Sequence, residues 1–417
     1  MSLAPYGRLL GRPAVLRLVL VALVARVPHA SLGVIVTLHV VGPLGRGYAA
    51  AGIVAAAATL GMAIGAPWRG RLVDRLGLRP ALLPSVLIEA AIWTAAPFLT
   101  FEALVGAAAM AGLFMVPVFS VVRQSLAVLV PPEEQRTAFA LDSVCTELTF
   151  MLAPALAVLV ATTWSTTAAL VSVGVATVGA GGLLMWFDPP TSSAGVFACS
   201  AGKVPVGSVS VGTVGDPVVV PSLPTGRAFT PALLVVLLAA AAASLVLNGT
   251  DVSIIAALVE WDQASSAGWM IALWAGGSLV GGLLYGGGSH SIHPLVLVLI
   301  LALLTIPAAF AGTPLLLAIA VVIAGVPCAP ALSAITAMLV RIVPEHRRGE
   351  VMGWNGSAMT VGAALGAPLC GALIDLFGAW AGFLAAGVIG AVVAGTGLVV
   401  LHRFRVRARA RLAVPVG

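Results

Sequence analysis

The chain has 417 residues, 60% of them hydrophobic and only 9% charged, with a mean hydropathy of +1.11; soluble domains carry about 25% charged residues. That balance excludes a soluble enzyme, a nucleic-acid-binding module and a disordered chain, because too few polar residues exist to coat a core of this size. The net charge of +6 is scattered through short clusters between apolar runs, which is the pattern of membrane topology.

A bilayer core about 30 Å thick needs ~20 apolar residues in a helix rising 1.5 Å per residue. Twelve such runs follow one another and predict spans 1 to 12, at residues 21–40, 49–66, 81–99, 103–121, 138–160, 167–186, 231–257, 267–284, 294–311, 315–339, 353–373 and 379–401. The first is too long for a signal peptide and eleven more follow it, so it reads as a transmembrane helix. Residues 1–187 form an N-terminal bundle of six spans and 229–402 a C-terminal bundle of six. Between them, 188–228 is rich in Gly, Ser, Pro and Val and has no helical apolar stripe; it reads as a flexible cytoplasmic linker. Residues 403–417 form a basic cytoplasmic tail.

Of the 21 Lys and Arg, all but Arg26 and Arg46 fall at the N-terminus, in the even-numbered connections or in the tail. Arg69, Arg71, Arg75 and Arg79 are assigned to the connection between spans 2 and 3, Arg123 and Arg136 to the flanks of the connection between 4 and 5. Lys203 and Arg227 fall in the linker. Basic residues favour the cytoplasmic side, so both termini are expected there. Cys145, Cys199, Cys328 and Cys370 show no metal or disulfide spacing and read as small buried residues.

The halves repeat weakly. Gly61, Gly65 and Gly70 match Gly277, Gly281 and Gly286 at one offset. Pro132, Glu133 and Arg136 match Pro344, Glu345 and Arg348, and each set is followed by a helix carrying a proline, Pro154 or Pro368. Duplicated halves in a membrane protein place a site on the pseudo-symmetry axis and allow rocking between two packings.

Between spans 2 and 3 stands GRLVDRLGLRP, with Gly70, Asp74, Arg75, Gly77 and Arg79. This resembles the cytoplasmic signature of the major facilitator superfamily, with Leu78 in place of one basic residue. The resemblance extends over the whole chain and implies an all-α membrane protein of 12 transmembrane helices in two six-helix bundles, similar to actinobacterial efflux permeases. Ala153-Pro154 replaces the Gly-Pro expected of exporters in that superfamily. Independently of the family, Gly70 permits close helix approach, and Asp74 can cap a helix N-terminus and pair with Arg75 or Arg79. Such a cluster makes a cytoplasmic latch between the bundles. His290 falls where the second half would carry its aspartate, so the latch is asymmetric.

Ionisable residues at mid-bilayer are costly and are functional candidates by default. Counting along the helices places Arg26 about 18 Å and Glu147 about 16 Å from the cytoplasmic ends of spans 1 and 5. Equal depth makes Arg26–Glu147 the expected ion pair, which could be a structural tie between spans 1 and 5, a proton-coupling site through Glu147, or a contact to substrate. Asp251, about 30 Å along span 7, is an outer-gate or interfacial carboxylate. His29, on the face of Arg26, and Asn248, on the face of Asp251, are candidates for the substrate cavity, and Pro28 between Arg26 and His29 can kink span 1. Glu89 and Asp142 are read as shallower, Asp142 pairing with Arg136 or Arg123. The resemblance implies that spans 1, 4, 7 and 10 line the cavity.

The apolar cavity expected from this composition suits a lipophilic or amphipathic cargo, cationic to match the acidic residues, rather than a sugar or nucleotide. No phosphate-binding G-x-x-x-x-G-K-[ST] loop occurs, so active transport would be secondary. The expected function is proton-coupled export by alternating access. Uptake or facilitated diffusion on the same fold is the alternative, followed by a non-transporting sensor or scaffold. Neither enzymatic activity, a cofactor, a metal nor nucleic acid is expected. The expected partners are a small molecule, protons and the bilayer, and the expected form is a monomer in the cell membrane.

Overall fold

The computed structural model describes residues 4–46, 48–191, 230–263, 266–288 and 291–412. The linker beyond residue 191, with Cys199, Lys203 and Arg227, lies outside the described residues, as do His290 and the tail beyond residue 412.

A short helix, Ala4–Leu10, precedes span 1, Pro13–Val41. Spans 2 and 3 are Tyr48–Leu76 and Leu78–Ala95. Span 4 is broken into Phe101–Leu113 and Val118–Leu129, and spans 5 and 6 are Gln135–Thr163 and Thr166–Phe187. The second half repeats the plan. Span 7 is Pro231–Glu260, span 8 Ala267–Gly287, and span 9 Pro294–Thr305 continued by a 3-10 turn, Ile306–Phe310. Span 10 is again broken, into Pro314–Gly325 and Cys328–Ile342; spans 11 and 12 are Arg348–Phe377 and Ala379–Leu412. Eleven of these are long and apolar enough to cross a bilayer, and the shorter apolar stretch Pro294–Phe310 occupies the ninth place. The chain is a multi-pass, all-helical membrane protein of two six-helix bundles.

Local chemistry sets the ends. Thr100, Ser165, Thr230 and Thr313 each accept the amide of the residue three positions on, satisfying a helix N-terminus, and Pro13, Pro231, Pro294 and Pro314 occupy first-turn positions where no amide partner is needed. Gly77 turns the chain between spans 2 and 3 at φ +82°, a backbone region open to glycine. Both broken spans break beside a proline that lacks an amide hydrogen, Pro117 and Pro327. Large apolar side chains such as Leu20, Leu60, Ile64, Trp186 and Phe310 face outward, as a lipid-facing surface requires.

The repeated glycines make the same joint twice. A methyl group on Gly61 or Gly65 would strike the span 4 backbone at Ala109 or Leu113, and one on Gly277 or Gly281 the span 10 backbone at Val322 or Val326. Small residues thus let spans 2 and 4, and spans 8 and 10, touch backbone to backbone.

Candidate functional site: a latch, a central cavity and a carboxylate seam

The N-terminal helix and the connections 2–3, 4–5 and 10–11 mark one face of the molecule, the near face. There the two bundles meet along spans 2 and 11. The Asp74 carboxylate accepts the amides of Gly349 and Glu350, at 2.9 Å each, at the start of span 11. These are orphan donors of a helix N-terminus, and the helix dipole favours an anion there. Arg71, also on span 2, donates to Glu350 at 2.7 Å, and Arg347 holds the other oxygen at 3.1 Å. Added Cβ atoms would meet backbone oxygens in both directions across this seam, at Gly349 from Gly70 and at Ala66 from Gly353. Ser357 donates to the Ala63 carbonyl at 2.6 Å.

The motif residues do not all join this seam. Arg75 is exposed. Arg79 donates to Asp188 and to the Met185 carbonyl at the end of span 6, within its own bundle. Of the two expected roles of Asp74, capping a helix N-terminus is formed, on span 11 of the opposite bundle, while the pairing with Arg75 or Arg79 is not. Arg71 and Glu350 form a cross-bundle pair that no motif marks.

The pseudo-symmetric seam, spans 5 and 8, uses hydroxyls. Thr137 donates to the Gly286 carbonyl at 2.6 Å, and Tyr6 of the N-terminal helix donates to the carbonyls of Gly282 and Leu283 at 3.0 Å. Burial pushes the Tyr6 hydroxyl up to about 12, so it stays a neutral donor at physiological pH. Both seams lie in the near half. Farther along, span 11 turns to its own bundle, with Gly362 and Gly366 against Ala241 and Leu245 of span 7.

Between the bundles lies a cavity of about 220 Å³, lined from spans 1, 2, 4, 5, 10 and 11. His29, Phe119 and Phe150 form an aromatic wall, with His29 edge-on to both phenyl rings. Met62, Met115, Met352 and Met359, four of the ten methionines, add adaptable apolar surface. The polar lining is Arg69, Arg123, Ser120, Thr146, Asn355 and Thr360. Arg69 belongs to span 2 and not to the connection, and Arg123 to the second half of span 4; both are buried, at 2% and 9% exposure. A second cavity of about 170 Å³, inside the N-terminal bundle, shares His29, Met62 and Met115 with the first and reaches Glu89. Span 7 lines neither, so Asn248, which donates to its own helix at Ser244, is outside them.

The expected Arg26–Glu147 pair is not formed. Arg26 pairs with Asp142 at 2.5 Å, and Arg123 takes the other Asp142 oxygen at 3.3 Å, making a buried Arg–Asp–Arg triad. Arg26 also lies 4.9 Å over the Phe119 ring. Five residues separate Asp142 from Glu147, about 140° around a helix. Asp142 therefore faces spans 1 and 4 while Glu147 faces the other bundle. Glu147 accepts from Ser278 of span 8 at 3.0 Å and lies 3.9 Å from the Cys328 sulfur of span 10. Asp251 of span 7 lies within its electrostatic range, with one buried oxygen lacking a hydrogen-bond partner. Glu89 is also deeper than expected: it accepts the Val116 amide at the break of span 4.

The family model of the Major Facilitator Superfamily matches residues 18–294 and again 236–415. The chain belongs to the Major Facilitator Superfamily. No curated protein matches its sequence. Among solved structures it is similar to the human organic anion transporter MFSD10 (TETRAN), at 16% identity and TM-score 0.69 over 93% of this chain and 100% of that one. It is also similar to a bacterial homologue of the iron transporter ferroportin in an outward-facing state, at 16% identity and TM-score 0.68 over 91% and 98% of the two chains. The proton:xylose symporter XylE follows at 13% identity and TM-score 0.61, over 91% and 94%. At such identities these likenesses show the fold alone, and the family match carries the coarse reading of a transporter.

Proposed function

We propose that this superfamily member is a secondary active transporter of the cell membrane that exports a lipophilic or amphipathic small molecule in exchange for protons, with both termini in the cytoplasm. The observation that carries this reading is Glu147, an intramembrane carboxylate of the N-terminal bundle that has a hydroxyl and a thiol of the C-terminal bundle as partners and, among the described residues, no ion-pair cation. A carboxylate so placed changes partners when spans 5 and 8 separate, so its proton can be exchanged with the change of packing. Asp251 of span 7 adds a second carboxylate within electrostatic range of Glu147. The near-face seams 2/11 and 5/8 act as the latch that breaks when that face opens. The aromatic and methionine lining of the central cavity suits an amphipathic guest. Proton coupling is known on this fold, as the name of the xylose symporter records.

Reconstitution tests the coupling. Vesicles bearing the wild-type chain, screened with a panel of lipophilic cations and anions, are expected to accumulate at least one under an imposed pH difference. Glu147→Gln is expected to abolish that accumulation while counterflow exchange of the same compound persists. Accumulation by Glu147→Gln at the wild-type rate would reduce Glu147 to a structural role.

A further inference from the structure

We infer that the central cavity holds an anion-binding subsite at Arg69, so that the amphipathic guest it accepts carries a carboxylate or similar acidic group. This rests on the transporter reading above and gives its cargo a charge sign opposite to the one expected from the acidic residues of the sequence.

Arg69 is 2% exposed, lines the cavity, and spends only its Nε, on the Gly65 carbonyl of its own helix. Both terminal guanidinium nitrogens are buried without a hydrogen-bond partner. A guanidinium stays charged under any ordinary condition, and its two forward nitrogens present a fork that matches a carboxylate. The protein offers it none. Glu89, the carboxylate in its electrostatic range, is engaged by the Val116 amide and makes no ion pair with it. Asp142 is shared between Arg26 and Arg123. Three buried arginines thus surround this region against two buried carboxylates, both occupied. An unpaired buried charge is costly unless its partner arrives with the ligand.

A second group points the same way from the opposite bundle. Asn355 of span 11 is 2% exposed and lines the same cavity; its NH2 group donates to the Met359 sulfur at 3.8 Å and keeps a second hydrogen to donate to an anion. A carboxylate held between Arg69 and Asn355 would tie span 2 to span 11, the two helices of the latch seam. Its apolar body would rest on the His29, Phe119 and Phe150 wall. Occupancy and bundle closure would then be linked through one anion.

The test uses the full chain in lipid nanodiscs and three isosteric probes: 2-naphthoate, neutral 2-naphthamide and cationic 2-naphthylmethylammonium. Equilibrium binding is expected to favour the anion at least tenfold over both others in the wild type. Arg69→Gln is expected to remove that preference, the ratio of naphthoate to naphthamide affinity falling at least tenfold; Arg69→Lys should restore part of it, and Asn355→Ala should weaken naphthoate several-fold. Thermal unfolding checks each variant, and the wild-type probe series together with Asn355→Ala stands by itself if Arg69→Gln does not fold. Equal binding of the three probes, no binding of naphthoate, or an anion preference that survives Arg69→Gln would overturn the subsite. Proton-driven flux of some other cargo without naphthoate binding would defeat this inference and spare the transporter reading; naphthoate binding without flux of any compound would do the reverse.

Discussion

The Arg26 guanidinium and the Asp142 carboxylate meet 2.5 Å apart, with 0% and 3% of their side chains exposed, and Arg123 completes the group from the second half of span 4. Three helices, spans 1, 4 and 5, are thereby tied together inside one bundle. Removing one member of a buried ion pair leaves an uncompensated charge, which costs about 3–5 kcal/mol. Asp142→Asn should therefore lower the thermal unfolding midpoint of the purified protein markedly, and Asp142→Asn with Arg26→Met should recover part of the loss. An unchanged midpoint in Asp142→Asn would show that the triad contributes no stability.

Gly70 sits against the Gly349 carbonyl so closely that an added Cβ would lie 2.1 Å from that oxygen. Backbone cannot yield as a side chain can, so Gly70→Val should hold the near face ajar. In a chain without its native cysteines, Ala66→Cys should react with a membrane-impermeant maleimide several-fold faster when Gly70→Val is added. Equal rates would mean that the seam tolerates the extra bulk.

Asp74→Asn keeps the shape of the latch but turns one acceptor into a donor facing an amide. Losing one charge-assisted hydrogen bond is worth about 1.5–3 kcal/mol. Flux should fall by roughly tenfold with the order of preferred cargoes unchanged. A new cargo preference at normal rates would contradict the latch role.

Tyr6→Phe removes the hydroxyl that reaches the Gly282 and Leu283 carbonyls yet keeps the ring packed. It should speed opening of the near face while changing the unfolding free energy by about 1 kcal/mol or less. The rate of maleimide labelling at a cysteine in place of Ala140, beside the same seam, reports the opening.

The architecture was readable because lipid permits few solutions: apolar runs of bilayer length and glycine at the helix joints follow from satisfying and packing backbone without water, whereas the apolar runs of spans 4 and 10 pass through their breaks at Pro117 and Pro327 and hide them. The internal repeat was readable for the same reason, and its glycines make matching joints in both halves. The ion pairs were less so. Depth along a helix comes directly from counting residues, and Arg26 and Glu147 stand near the middle of spans 1 and 5. Azimuth does not, and five residues were enough to send Asp142 and Glu147 toward different bundles. Arg69 and Arg123 looked like loop residues because they stand beside loops; only the helix ends show that they are buried. The methionines of the cavity are spread over spans 2, 4 and 11, and no local pattern gathers them.

The helix ahead of span 1 hangs by Tyr6 from main-chain carbonyls of the other bundle. On the proposed mechanism, any affinity handle or fluorescent fusion attached there would load the seam that parts on opening, and would bias the resting shape of the molecule before a single cargo is added. Labelling and purification strategies that leave the first ten residues untouched would avoid that bias, and a small environment-sensitive dye placed beside Tyr6 would turn the same strap into a reporter of each opening stroke.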